Sequence, residues 1–214
     1  MTERRYSMMD RLIITLDQGF ATLRQAPSGG GRPSPARELE EMPLTREQRR
    51  LSEGLMRVNH SGEVSAQALY QGQSLTARDP GVAASMRQSA QEEVDHLVWC
   101  EQRLAELGGH TSYLKPAWYA GSFLIGAGAG VCGDRWSLGF ITETENQVVR
   151  HLDGHLQRLP AADLKSRAIL EQMRQDEAHH ATVALEAGAA ELPAAVKRLM
   201  HWVSGVMTWA SYRL

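Results

Sequence analysis

Apolar residues recur at helical spacing along most of this chain, and no stretch alternates as a half-buried strand would. Residues 8–24 place Met9, Leu12, Ile13, Leu16, Phe20 and Leu23 on one stripe, which predicts a short amphipathic helix. Residues 26–43 carry Gly29-Gly30-Gly31, Pro33 and Pro35 and predict a flexible linker. Thr45-Arg46-Glu47-Gln48 fits a capping box, so a long helix should start there and run to about Arg78. Asp79-Pro80 supplies an N-cap and a first-turn proline for a second helix, which should stop at Gly108-Gly109. A third runs from Asp134 to Leu159, before Pro160, and a fourth from about Asp163 to Ala187, with Gly188 as its stop. A last amphipathic helix spans Pro193 to Tyr212.

Short turns join the first long helix to the second and the third to the fourth. One long connection, 108–133, lies between the two pairs. Two antiparallel hairpins joined by one crossover make an all-α, ferritin-like four-helix bundle. The N-terminal and C-terminal amphipathic helices are additions to it. The expected organisation is a helix over 1–25, the linker over 26–43, and a metal-binding bundle with its closing helix over 44–214.

The polar positions that break the apolar stripes form a repeat. Glu63 is followed by Glu93-Val94-Asp95-His96, and Glu145 is followed by Glu177-Ala178-His179-His180. One glutamate from each of two helices and one Glu-x-x-His from each of the other two form the donor set of a carboxylate-bridged pair of metal ions. A glutamate on a helix usually faces water. Here the stripe Ile141, Glu145, Val148, Leu152 contains Glu145 and leaves out Glu143, and the stripe Met86, Glu93, Leu97, Cys100 leaves out Glu92. Glu177 and His180 share a stripe with Ile169 and Met173, and Glu63 shares one with Leu55 and Tyr70. Four buried carboxylates without counter-charge would be costly, and two divalent cations neutralise them. Oxygen donors with one imidazole per ion suit iron, and manganese fits the same donors. The expected ligands are therefore Glu63, Glu93, His96, Glu145, Glu177 and His180, with no catalytic residue beyond them. Asp176 is the expected carboxylate behind a ligating imidazole. Glu92, Asp95, Glu143 and His179 are assigned to the surface or to supporting positions. His60, His110, His151, His155 and His201 are given surface or structural roles.

Composition adds exclusions. The chain has 214 residues, 43% of them hydrophobic, enough for a sizeable core. A net charge of −2 gives no electrostatic footprint for nucleic acid. Cys100 and Cys132 form no C-x-x-C, so neither a thiolate zinc site nor a disulfide framework is expected. Charges among the first residues, such as Glu3, Arg4 and Arg5, argue against a signal peptide. Gly128-Ala129-Gly130-Val131-Cys132-Gly133 matches G-x-G-x-x-G, but no strand precedes it, so no dinucleotide site is expected.

Residues 116–133 contain no charge and are rich in glycine. That composition is weak for crossing a bilayer. It suits either a buried crossover or a surface dipping into one leaflet, with Trp118 and Tyr119 at the interface. The last helix adds Leu199, Trp202, Val203, Val206, Met207 and Trp209 on a face that could lie on a membrane. Membrane-surface association is the preferred reading.

Several segments together resemble the demethoxyubiquinone hydroxylase family of ubiquinone biosynthesis. They are Asn59-His60-Ser61-Gly62-Glu63, Glu93-Val94-Asp95-His96, the Gly/Ala-rich crossover, Glu145, Asp176-Glu177-Ala178-His179-His180 and Ser211-Tyr212-Arg213-Leu214. The likeness covers about residues 45–214. It implies a ferritin-like fold, a di-iron centre on the same six residues, and peripheral attachment to the cytoplasmic face of a bacterial cell membrane. It also implies O2-dependent hydroxylation of a polyprenyl quinone ring with two electrons from an external donor, possible contact with other ubiquinone-biosynthesis proteins, and no nucleic-acid partner. Other readings share part of the pattern: a ferritin- or rubrerythrin-like ferroxidase or peroxidase, a manganese catalase, or a helical interaction protein without metal.

Overall fold

The computed structural model describes residues 8–24 and 31–214, apart from the side chains of Met8, Arg11 and Leu12. Glu3, Arg4, Arg5, the Leu12 side chain and Gly29-Gly30 thus lie outside the described residues. Among the described residues there are helices and no strands. They are α1 (Met8–Leu23), α2 (Arg46–Thr76), α3 (Pro80–Leu107), α4 (Lys115–Val131), α5 (Asp134–Arg158), α6 (Leu164–Glu186) and α7 (Ala194–Arg213).

The helix ends follow the local chemistry. Thr45 accepts from the Gln48 N–H while Gln48 Oε1 accepts from the Thr45 N–H, the reciprocal pair of a capping box. Asp79 accepts from Gly81 and Val82 at the start of α3, and Gly108, at φ 76°, closes it in the left-handed conformation. Asp163 accepts from the Ser166 N–H at the start of α6.

Helices α2 and α3 pair, as do α5 and α6, and the four form the bundle. The core has two apolar clusters. One holds Leu55, Met56, Cys100, Leu152 and Met173, and the other holds Tyr70, Met86, Ile141 and Ala184. Glu63, Glu93, Glu145 and Glu177 fall between these clusters in each helix's sequence. Each long helix thus carries its acid near its middle, walled above and below by hydrocarbon.

The crossover differs from expectation in being a helix. Residues 115–131 form α4, parallel to α2 and packed along it. Glycine costs a helix about 1 kcal/mol per residue relative to alanine. Here that cost is offset by close approach. A Cβ on Gly126 would meet the Leu69 carbonyl, and one on Gly130 would meet the Thr76 hydroxyl. Gly72 on α2 faces the Phe123 carbonyl in the same way. Replacing Gly72 with valine is therefore expected to destabilise the fold by about 1–3 kcal/mol, read as a lowered thermal midpoint.

Helices α1, α4 and α7 all lie against α2, outside the four-helix core. Each turns large apolar side chains outward: Ile13 and Phe20 from α1, Leu124 and Val131 from α4, Leu199, Trp202 and Trp209 from α7. Among the described residues no helix is long and apolar enough to cross a membrane.

The described part of the expected linker contacts the bundle. Residues 31–43 are non-helical but fastened to the bundle. Ala36 is buried in the core, Arg32 pairs with Asp95 and Asp176, and Glu41 pairs with the buried Arg103. Glycine and proline content signalled the lack of helix correctly. It carried no information about these long-range ion pairs.

Candidate metal centre

The six expected ligands converge at the middle of the bundle, and all six are buried. Donor atoms of Glu63, Glu93, His96 and Glu177 lie within 4.8 Å of one another. His96 Nδ1 is 2.9 Å from Glu93 Oε2, 3.2 Å from Glu177 Oε1 and 3.6 Å from Glu63 Oε2. His180 Nδ1 is 3.1 Å from Glu93 Oε1 and 3.5 Å from Glu177 Oε2. Glu145 sits on the far side, where its Oε1 accepts from the Tyr70 hydroxyl at 2.5 Å. Glu143 points away and accepts from Gln147 and Arg150.

Both imidazoles aim Nδ1 inward and Nε2 outward. His96 Nε2 meets Asp176 Oδ2 at 2.9 Å, as the sequence suggested, and His180 Nε2 meets Glu92 Oε2 at 2.8 Å. Each acid directly before a Glu-x-x-His glutamate thus serves the histidine of the opposite helix. Of the two places expected for Glu92, the surface or a supporting position, it takes the supporting one. The repeat carries the signal for it, since an acid precedes the glutamate in both halves.

The electrostatics are those of crowded carboxylates. Burial, with the charges of Glu93 and Glu177, pushes the Glu63 carboxyl well above its usual range. Burial and the same two neighbours do so for Glu145. Burial also raises Tyr70, with Glu145 beside it, so the phenol keeps its proton. For His180 burial opposes the charge, but Glu177 and Glu93 prevail and push it up to about 12. His96 is raised in the same way against burial, chiefly by Glu93 and Asp176. Glu93 is held below the usual carboxylate range because its two histidine partners overcome burial.

The donors fit a pair of hard cations. Glu63 Oε2, Glu93 Oε1, Glu145 Oε2, Glu177 Oε2 and His180 Nδ1 are buried and make no well-aligned hydrogen bond, although Glu93 Oε1 and His180 Nδ1 lie 3.1 Å apart. Buried polar atoms are otherwise nearly always satisfied. Four carboxylates with two inward imidazoles are a complete set for two such ions.

Residues 50–211 match the model of the family described as ubiquinone biosynthesis protein COQ7. The chain belongs to this family. COQ7-family relatives run its full length. One from Nitrosococcus oceani is 58% identical over 99% of both chains. One from Stutzerimonas stutzeri is 56% identical over 100% of this chain and 99% of the relative. One from Chromobacterium violaceum is 55% identical over 97% and 100%. Each is named 3-demethoxyubiquinol 3-hydroxylase. Among solved structures, a dodecameric thioferritin, the bacterioferritin-related protein of Bacteroides fragilis, superposes with a TM-score of 0.54 at 15% identity, covering 63% of this chain and 82% of that one. That likeness shows the ferritin-like fold of this COQ7-family chain, as the helix pattern and single crossover led one to expect.

Proposed function

We propose that the chain is a 3-demethoxyubiquinol 3-hydroxylase, an O2-dependent monooxygenase that adds a hydroxyl to the quinol ring in ubiquinone biosynthesis. The observation that carries this reading is the buried Glu/His cluster in a chain 58% identical, nearly end to end, to a relative of that name. In this reading residues 44–214 are the catalytic unit. Two iron ions are held by Glu63, Glu93, His96, Glu145, Glu177 and His180, and manganese remains the alternative occupant.

Bound iron supplies the redox chemistry that activates O2, with two electrons from an external donor. The protein's own part is positional. Asp176 and Glu92 accept from the outer nitrogens of His96 and His180 and so fix which ring nitrogen faces the centre. The Tyr70 hydroxyl donates to Glu145 Oε1 and holds a proton there. Met86, Ile141, Leu152 and Met173, buried on either side, keep bulk water from the centre. One oxygen atom enters the ring, and the other leaves as water.

The substrate carries a polyprenyl tail, so the apolar surfaces of α1, α4 and α7 are the proposed seat on the cytoplasmic face of the cell membrane. Trp202 is 67% exposed and Trp209 61% exposed, a poor arrangement for water and a good one for a lipid interface. Replacing both with serine is expected to cut co-sedimentation with phospholipid vesicles severalfold while leaving the metal content intact. Unchanged sedimentation contradicts the membrane seat. A storage bundle would share the ligands and bury such a surface between subunits, so the vesicle measurement separates the two readings.

Two experiments test the function. Cells lacking the protein should accumulate the demethoxy precursor and lose ubiquinone; normal ubiquinone with no precursor contradicts the assignment where no second hydroxylase is present. Glu145→Ala should fail to restore ubiquinone and Glu143→Ala should restore it. The reverse pattern would move the ligand to Glu143.

A further inference from the structure

The two halves of the centre are built alike beyond the ligands. On α3 the Gln88 amide donates to Glu92 Oε1 at 3.1 Å, and Glu92 Oε2 faces His180 Nε2. On α6 the Gln172 amide donates to Asp176 Oδ1 at 2.9 Å, and Asp176 Oδ2 faces His96 Nε2. Both helices therefore carry glutamine, then four residues on an acid, then Glu-x-x-His.

One contact breaks the symmetry, and it comes from the segment before the bundle. Arg32 Nη1 lies 2.9 Å from Asp176 Oδ2, the oxygen that faces His96. Its Nε lies 2.9 Å from Asp95 Oδ2, one residue before His96. The Arg32 carbonyl accepts from Trp99 Nε1 at 3.3 Å, and the guanidinium sits 5.0 Å from the Trp99 ring centre. On the other half, the hydrogen bonds and ion pairs of the described residues give Glu92 only His180 and Gln88 as partners. Its side chain is 41% exposed, against 18% for Asp176.

We propose that Arg32 is a positioning residue that makes the two metal positions unequal. By fixing Asp176 it keeps His96 Nδ1 aimed at the glutamates, so the ion capped by His96 is held more tightly than the ion capped by His180. This inference rests on the two-ion reading above. The forked guanidinium spans two aspartates that would otherwise repel each other; an ammonium group has no such fork. Without it Asp176 keeps only the Gln172 amide and the His96 ring as partners, the arrangement Glu92 has on the other half, and the outer anchor of His96 is loosened. Loss of the carboxylate behind a ligating histidine lowers metal affinity about 10–100-fold, and loosening it is expected to cost less than its loss. Charge alone would act in the opposite direction, because removing a cation near the centre favours binding of other cations.

The test is titration of the metal-free full chain with Co2+, followed by visible absorption and calorimetry. The unaltered protein should bind in two steps of unequal affinity. Arg32→Gln should weaken the tighter step severalfold, up to about tenfold, and leave the weaker step in place; Arg32→Lys should do the same. Glu41→Gln loosens the same segment at its other anchor, Arg103, and should change neither step. The inference is overturned if Arg32→Gln leaves the tighter step unchanged or strengthens it, if it weakens both steps equally, or if Glu41→Gln matches it. Failure of the unaltered protein to bind Co2+ would instead overturn the two-ion reading.

Discussion

Replacing Glu63 with leucine is expected to abolish hydroxylation and two-ion loading, yet to make the metal-free protein more stable. The two effects have one cause. Glu63 is buried beside Glu93 and Glu177, and its Oε2 makes no well-aligned hydrogen bond, with His96 Nδ1 3.6 Å away. Without cations, such a carboxylate either stays protonated or adds to the repulsion. Leucine has similar bulk and no charge to desolvate. Replacing a whole buried ion pair with hydrocarbon of matching volume stabilises proteins by up to about 1–4 kcal/mol, and removing one surplus carboxylate is expected to give the low end of that range. The substitution strands little, because His96 Nδ1 still faces Glu93 and Glu177. Urea unfolding of the metal-free variant measures the gain, and metal analysis after anaerobic reconstitution measures the loss. A variant that is less stable and still binds two ions would mean that Glu63 is a structural residue.

The second large effect is a fall in the stability of metal-free protein as pH rises above 6.5. Glu63 and Glu145 are raised well above 4.5, so the folded chain keeps protons that the unfolded chain has released, and stability drops as pH climbs. His96 and His180 act with the same sign. Their contribution is full below 6.5 and is lost as pH rises, for His180 toward about 12. His60, His151 and His155 are lowered to about 3, 4 and 2, mainly by burial, and oppose this trend only below 6.5. The lowered carboxyls of Glu93 and Asp176 likewise act only in acid. Each raised group supplies a slope of up to about 1.4 kcal/mol per pH unit. Bound cations offset the carboxylate repulsion and should flatten the curve. Urea midpoints at pH 6.5, 7.5 and 8.5, with and without Fe2+ under anaerobic conditions, read the effect directly. A metal-free protein that gains stability across this range contradicts the account of the cluster.

Much of this molecule was legible from periodicity. Thr45, Asp79, Gly108 and Asp163 mark helix ends by chemistry confined to a few residues, and the structure uses all four. The inward position of Glu145 and the outward position of Glu143 also followed from the stripes, because a two-residue offset on a helix is about half a turn. What sequence reasoning missed depends on contacts between distant segments. The crossover became α4 because α2 offers Gly72 and the Leu69 carbonyl to its glycines, so tertiary packing outweighed helix propensity. Arg32 stands in a glycine- and proline-rich stretch, and its two aspartates lie on α3 and α6. For Glu92 the sequence leaves open the surface or a supporting position, because only its contact with His180 across the bundle decides between them.

The most direct test of the central claim supplies the iron-loaded protein with a demethoxyubiquinol, a two-electron donor and 18O2, and analyses the quinone by mass spectrometry. One hydroxyl gained per turnover is expected, carrying one 18O atom, and none in the metal-free protein or the Glu63→Leu variant. Absence of hydroxylated product from fully loaded protein, or a hydroxyl whose oxygen comes from water, would contradict it.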